Sequence, residues 1–292
     1  MGQSAMEPSA ETAMSALTLP GLNASSHLRA PTEGLSAAAL ARLAHIIDQR
    51  VIPRLLINHA SQAVAAAATR QISAQDIIDF TTMLLAHDLA SVLARVAELR
   101  DHGRSVDAIY LDLLGPSADY LGELWSDDNV NFVDVTVAIG VLQQVVRELR
   151  PAFRGTHEQP PNGGRALLGS AAHEQHTFGL FVIAEFFHRA GWAVWYEPAA
   201  DAGSIARIAS RESFTLVGLS ASSDRMIDAL TEEIRTVRRV SRNPNVKVMV
   251  GGRVFSEHPE LVAAVGADTT APDARAAELQ ARTLITLAAA GM

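Results

Sequence analysis

The sequence predicts an α + α/β protein, an N-terminal bundle of four helices followed by a doubly wound parallel sheet. Three observations carry that reading. Apolar residues recur at three- and four-residue spacings from Leu35 to about Arg150. Residues 154–164 (RGTHEQPPNGG) then break the pattern with a Pro-Pro and a Gly-Gly pair. Beyond them, short apolar runs alternate with helical stretches of about 10–17 residues, the rhythm of strand–helix units.

Residues 1–35 are rich in Ser, Ala and Thr and are broken by Pro8, Pro20, Gly21, Pro31 and Gly34, so they read as a flexible tail. The helical bundle is expected over 36–153. Its first helix carries Leu40, Leu43, Ala44, Ile47, Val51 and Leu55, with a kink at Pro53. Ser73 caps a second helix that runs unbroken to about Asp101. Ser105 opens a third, bent at Gly115-Pro116 and ending near Trp125. The fourth runs from Phe132 to Arg150 and stops before Pro151. Short connections make an antiparallel bundle the economical arrangement.

The boundary falls at 154–164, and the second domain occupies 165–292. There Ala166–Gly169, Trp192–Tyr196, Phe214–Leu219, Val246–Val250 and Asp268–Thr270 read as strands. Helices are expected over 178–190, 203–212, 224–240, 259–265 and 272–290. In such sheets ligands bind beyond the carboxyl ends of the strands.

Composition excludes several classes. The 292 residues hold 24 Lys+Arg, 32 Asp+Glu, ten His and no Cys. Without cysteine there is no disulfide framework, thiolate metal site or thiol nucleophile. Residues 1–164 carry a net charge of −7 and 165–292 a net −1, so neither half has the basic balance that duplex binding favours. No apolar run approaches the roughly 18 residues of a membrane span. The start MGQSAMEPSAETAMS lacks a basic region before an apolar core. A cytoplasmic protein without membrane association is the expectation.

Three loops on the expected rim carry the chemistry. The first strand leads into Ser170-Ala171-Ala172-His173-Glu174-Gln175-His176-Thr177-Phe178-Gly179, the third into Ser220-Ala221-Ser222-Ser223, and the fourth ends in Gly251-Gly252. Singly each has a plain structural reading: a solvated histidine, serines capping the next helix, a turn. No G-x-G-x-x-G follows the first strand, which excludes a dinucleotide site of that kind, and GLSAS is not a G-x-S-x-G elbow.

Together, Glu174-x-His176-x-x-Gly179, Ser220-x-Ser222 after 40 intervening residues, and Gly251-Gly252 after a further 28 resemble the base-off/His-on cobalamin-binding domain, a Rossmann-like (flavodoxin-like) fold. Gly266-Ala267-Asp268-Thr269-Thr270-Ala271-Pro272-Asp273-Ala274 is similar to a segment common in corrinoid proteins. The resemblance spans 165–292. It implies cobalamin as cofactor, with His176 the axial ligand of cobalt and Glu174 the carboxylate that fixes its tautomer. It further implies that Gly179 gives the detached nucleotide tail room, that Ser220 and Ser222 hydrogen-bond its base, and that Gly251 and Gly252 leave it space. Gln175, Thr177 and Thr270 fall beside the cofactor on the same reading. The family has Asp where this chain has Glu174, so the His–carboxylate geometry is expected to differ or to run through water. His173 offers a second ligand, but the family spacing points to His176. A haem on His176 or His173 would leave the serine and glycine motifs unexplained.

Leu121-Gly122-Glu123-Leu124-Trp125, a loop and then Phe132–Ala138 resemble the helical cap of corrinoid methyltransferase modules and cobalamin light sensors, with Trp125 and Val135 over the corrin. Adenosylcobalamin sensors carry Glu-His nine residues after this Trp. Here Val135-Thr136 stand there, so the pocket is expected to prefer hydroxo- or aquo-cobalamin, or to tolerate several upper ligands including adenosyl- and methylcobalamin, rather than to be specific for adenosylcobalamin. The whole most resembles the cobalamin-binding antirepressors of purple photosynthetic bacteria (AerR/PpaA type). That resemblance implies a non-enzymatic, light-responsive photoreceptor acting on a transcriptional repressor of photosynthesis genes, with DNA contacted only indirectly or weakly. The alternative is a corrinoid protein carrying a methyl group between methyltransferases. Arg235, Arg238, Arg239 and Arg242 form a basic helix face, read as solvated and suited to a helix C-terminus, the alternative being contact with an acidic partner or nucleic acid.

Overall fold

The computed structural model describes residues 71–155, 164–198 and 200–289, all within one compact unit spanning 65–292. The expected tail, the first bundle helix, most of the linker and His27, His45, His59 and His157 lie outside the described residues.

Local chemistry sets where the bundle helices begin. In α1 (Ala74–Leu85), Ser73 and Asp76 exchange the reciprocal bonds of a capping box. The single helix expected from Ser73 to Asp101 is in fact two. The chain leaves the helix at His87, whose φ is +57°. Asp88 then caps α2 (Leu89–Asp101) by accepting the N–H groups of Ala90 and Ser91. A side chain able to satisfy orphan helix donors outcompeted the continuous apolar period.

Ser105 caps α3 (Val106–Ala108) as expected. The bend foreseen at Gly115-Pro116 takes the form of a π-helical stretch, Ile109–Leu114, ahead of α4 (Gly115–Ser126). Pro116 has no N–H to donate, and the N–H of Gly115 reaches back five residues to Tyr110. The expected stop before Pro151 is a further correction: α5 (Phe132–Arg154) continues through that proline. Beyond it, Phe153 is buried and Arg154 is paired with Glu185, so tertiary contacts hold the last turn in place.

The second half is a five-stranded parallel sheet. Its strands are β1 (Arg165–Ser170), β2 (Ala193–Glu197), β3 (Leu216–Ser220), β4 (Lys247–Gly251) and β5 (Thr269–Thr270), in the order β2-β1-β3-β4-β5. Alternate side chains enter opposite faces. Leu167, Val217 and Val248 pack with α7 (Ser204–Arg211) and α8 (Ile227–Val240). Leu168, Leu216 and Met249 pack with α6 (Phe178–Arg189) and α11 (Ala274–Ala289). The expected helix 259–265 is reduced to α10 (Leu261–Ala264), and a short α9 (Arg253–Glu257), absent from the sequence reading, follows β4 directly. The expected 224–240 helix opens with a 3₁₀ turn, Asp224–Met226.

The bundle and the sheet domain share a core. Phe178, Val182 and Phe186 of α6 are buried in one cluster with Leu114, Leu121, Leu142 and Val146 of the bundle. Two ion-pair groups reinforce the junction. Glu185 of α6 accepts from Arg150 and Arg154 of α5, and Asp107 of α3 accepts from Arg189 and Arg275. No helix among the described residues is long and apolar enough to cross a membrane.

Candidate functional site

The parallel register brings the three motifs to one place. Ser170, Ser220 and Gly251 are partners across β1, β3 and β4, so the chain leaves all three strands at one level of the rim. The ladder extends one residue further: Ala171 N–H donates to the Ser220 carbonyl and Ala221 N–H to that of Gly251, at 2.8 and 3.0 Å.

After Ala171 the backbone turns sharply. His173 adopts φ +68°, and Glu174 N–H closes back on the Ala171 carbonyl at 3.1 Å. The turn buries Glu174, whose side chain has no exposure, and leaves the His176 side chain 61% exposed. Glu174 Oε1 accepts the backbone N–H of His176 at 2.6 Å and lies 2.8 Å from its Nδ1. Glu174 Oε2 accepts the backbone N–H of Ser222 at 2.6 Å. Ser222 Oγ sits 3.1 Å from the same Nδ1. The contact between Glu174 and His176 is therefore direct. A carboxylate can only accept, so this contact assigns the proton to Nδ1 and the free lone pair to Nε2.

The electrostatics follow from this geometry. Burial pushes the Glu174 carboxyl up, but the hydrogen bonds from His176 and Ser222 outweigh it and hold the group below the usual range. The bond to Glu174 raises His176 above the ordinary imidazole value.

The remaining motif residues take distinct places. Gln175 is exposed and Thr177 half-buried. Gly179 lies in the first turn of α6, and a Cβ added there, or at Gly251, meets no protein atom within 4 Å. Gly252 differs: its φ is +97°, and a Cβ would stand 2.2 Å from the Ala221 carbonyl oxygen. Thr270 pairs with Val250 across β4 and β5. Neither Ser220 nor Ser222 caps the helix that follows, because Ser223 does so by accepting from the N–H of Arg225. Trp125 and Val135 stand on the bundle, half-buried, with the Trp125 ring 6.0 Å from that of Phe132.

Three charged residues escaped the sequence reading. Asp119 and Glu123, one turn apart on α4, and Arg253 at the start of α9 interact electrostatically, and Asp119 also with His176. Their signal was faint: an i, i+4 acidic pair just upstream of Trp125.

Among the described residues no group of three or more His, Asp or Glu is placed to hold a bare metal ion. One imidazole with a free Nε2, backed by a buried carboxylate, suits a metal that brings its other ligands in a macrocycle. The open space at Gly179 and Gly251 suits an appended tail. These residues fit a cobalamin held through His176.

Comparison with known proteins bears on the cofactor. Residues 164–279 match the family model of the B12 binding domain, which assigns cobalamin as the cofactor of this part of the chain. A sequence relative, described as an uncharacterized 20.5 kDa protein in the bchF-crtJ intergenic region of Rhodobacter capsulatus, is 26% identical over 157 residues, covering 54% of this chain and 81% of that protein. Among solved structures, the monomethylamine corrinoid protein of Methanosarcina barkeri superposes with a TM-score of 0.57 at 16% identity, covering 75% of this chain and all of that one. A cobalamin-binding protein from Desulfitobacterium hafniense DCB-2 gives a TM-score of 0.39 at 17% identity, covering 72% and 98%. The first of these structural matches establishes the shared fold.

Proposed function

We propose that this cobalamin-binding chain is a light-responsive transcriptional regulator, an antirepressor that works by binding a repressor of photosynthesis genes. The observation that carries this reading is the relative from the bchF-crtJ photosynthesis-gene region. The resemblance to cobalamin-binding antirepressors supports it. So does Val135-Thr136 at the place where adenosyl sensors carry Glu-His.

In this reading His176 would hold the cobalt, Glu174 would keep the Nδ1 proton in place, and Gly179 and Gly251 would leave room for the nucleotide tail. When bound, cobalamin would supply the light-sensitive ligand chemistry of its cobalt. The protein's part is to make the bundle sensitive to that chemistry. Ligand states shift a protein only as far as they differ in affinity for its two arrangements. Asp107 with Arg189 and Arg275, and Glu185 with Arg150 and Arg154, hold the bundle in the arrangement described here.

The test is spectroscopic and then functional. Protein loaded with cobalamin is expected to change its absorption on illumination. Added to a repressor already bound to a photosynthesis-gene promoter, it is expected to release or remodel that complex in a manner dependent on light and His176. A loaded protein that leaves the complex untouched and instead passes a methyl group between methyltransferases would replace this reading with that of a corrinoid methyl carrier.

A further inference from the structure

The two edges of the sheet differ. One edge is β5, with only two residues, Thr269 and Thr270. The other is β2, whose five residues match β1 row for row with no bulge. Edge strands are ordinarily blunted by Lys, Pro or a bulge, and Ala193-Val194-Trp195-Tyr196-Glu197 has none of these. Ala193 N–H donates to the Gly164 carbonyl at 2.9 Å, so Ala193, Trp195 and Glu197 bond inward. Val194 and Tyr196 therefore turn their N–H and C=O groups to the open edge. Trp195 is 44% exposed, its ring edge-on to Phe214 at 6.5 Å. Beside it a cavity of about 330 Å³ is lined by Arg165, His188, Ala193 and Phe214 among others. Arg165 and Ala193 begin their strands, so this cavity lies at the end of the sheet away from the His176 loop.

We propose that β2 is a dimer interface, pairing antiparallel with β2 of a second copy about a two-fold axis at Trp195. The strand is complementary to itself in that register. Trp195 meets its own counterpart. Val194 stands opposite Tyr196, an aromatic and β-branched pair of the kind favoured across strands. The outward N–H and C=O groups of those two residues exchange hydrogen bonds. Ala193 stands opposite Glu197. Residues in one cross-strand row share a face, and Ala193 is level with Arg165 on β1. Glu197 of each copy thus passes over the small Ala193 into the other's cavity, towards Arg165. That guanidinium pairs with Glu212 at 3.2 Å on the surface and has donors to spare. Glu197 is half-buried and in no ion pair among the described residues. A foreign strand would take the same backbone bonds, but the charge match at both ends belongs to this strand against itself.

The chain has no cysteine, so single cysteines report the register. Directly opposed residues of a non-hydrogen-bonded pair have Cα atoms about 4.5 Å apart, within disulfide range. The full chain carrying Trp195→Cys is expected to form a covalent dimer under mild oxidation. Val194→Cys, two rows from its own counterpart, is expected not to. Sedimentation of the wild type across concentration should reach twice the chain mass. Glu197→Arg, which sets like charge against Arg165, should raise the dimer dissociation constant about tenfold. Leu279→Lys, at an exposed apolar residue of α11, should leave it within about twofold. Melting curves confirm that each variant folds, and if Trp195→Cys does not, Glu197→Arg and the concentration series decide. A wild type that stays monomeric at every concentration would overturn the proposal. So would a dimer that Glu197→Arg leaves unchanged, or one that crosslinks equally at 194 and 195.

Discussion

Glu174 Oε2 accepts the backbone N–H of Ser222 at 2.6 Å, so one buried carboxylate joins the loop after β1 to the loop after β3. Its other oxygen holds His176 by both the backbone and the ring. The imidazole is thus oriented by the fold before any ligand arrives.

That arrangement makes Glu174 separable from its neighbours by mutation. His176→Ala is expected to abolish cobalamin retention. Glu174→Gln, which keeps the shape but offers an amide where two donors converge, should weaken binding about 10- to 100-fold. His173→Ala should leave affinity largely intact, because His173 serves the turn. Absorption titrations check all three, and equal loss in the two histidine variants would undo the assignment of the axial ligand.

The glycines separate room for a ligand from room for the chain. Gly179→Ala and Gly251→Ala add a Cβ that meets no protein atom. Both are expected to fold with nearly wild-type melting temperatures and to bind cobalamin more weakly. Gly252→Ala combines φ +97° with a Cβ 2.2 Å from a carbonyl oxygen and should cost about 1–3 kcal/mol of stability. Melting curves and titrations on the same three proteins decide the matter. Normal binding in both Gly179→Ala and Gly251→Ala would count against a tail groove there.

How much of this was legible in the sequence depends on the range of the forces involved. Strand–helix alternation and the three rim loops follow from local periodicity and turn chemistry, so the sheet, its helices and the approach of Glu174 to His176 were open to reading. The break at His87-Asp88 was not, because a cap competes with an apolar period that looks unbroken. Continuation through Pro151 was hidden as well, since Phe153 and the Arg154–Glu185 pair that hold the last turn are tertiary contacts. The anchoring of Glu174 by Ser222 N–H needs two loops 48 residues apart.

Acid should loosen the junction between bundle and sheet. Burial pushes the Asp107 carboxyl up, but its bonds to Arg189 and Arg275 prevail and hold it below the usual value of 3.8. A carboxyl depressed by folding contributes stability above its unfolded value and loses it as pH falls through the folded one. The contribution is therefore full at neutral pH and fades below about pH 4. Asp107→Asn is expected to lower stability at neutral pH by about 1–3 kcal/mol, with the difference from wild type shrinking in acid. Thermal unfolding across pH measures it, and parallel curves for the two proteins would remove Asp107 from the account.

The basic face of α8, with Arg242 two residues beyond its end, is largely committed to the fold, which bears on whether the chain reads DNA. Arg238 donates to the Gly266 carbonyl at 2.7 Å and to Asp268 at 2.9 Å, and Arg242 to the Arg211 carbonyl at 3.0 Å. Arg235 pairs with Glu232, and Arg239 reaches Thr236 Oγ1 at 3.3 Å. Phosphate contacts would have to displace these bonds on a protein of net charge −8, whereas duplex binding draws on several unencumbered cations. Arg238→Ala should therefore cost about 1–3 kcal/mol of stability through its carbonyl and carboxylate partners. The double variant Arg235→Ala/Arg239→Ala should change stability by only about 0.5 kcal/mol. In a mobility-shift experiment at physiological salt, the cobalamin-loaded wild type alone is expected to leave a photosynthesis-gene promoter unshifted. A sequence-specific shift by the wild type, lost in the Arg235/Arg239 double variant, would make this helix a DNA-contacting surface and displace the partner-binding model.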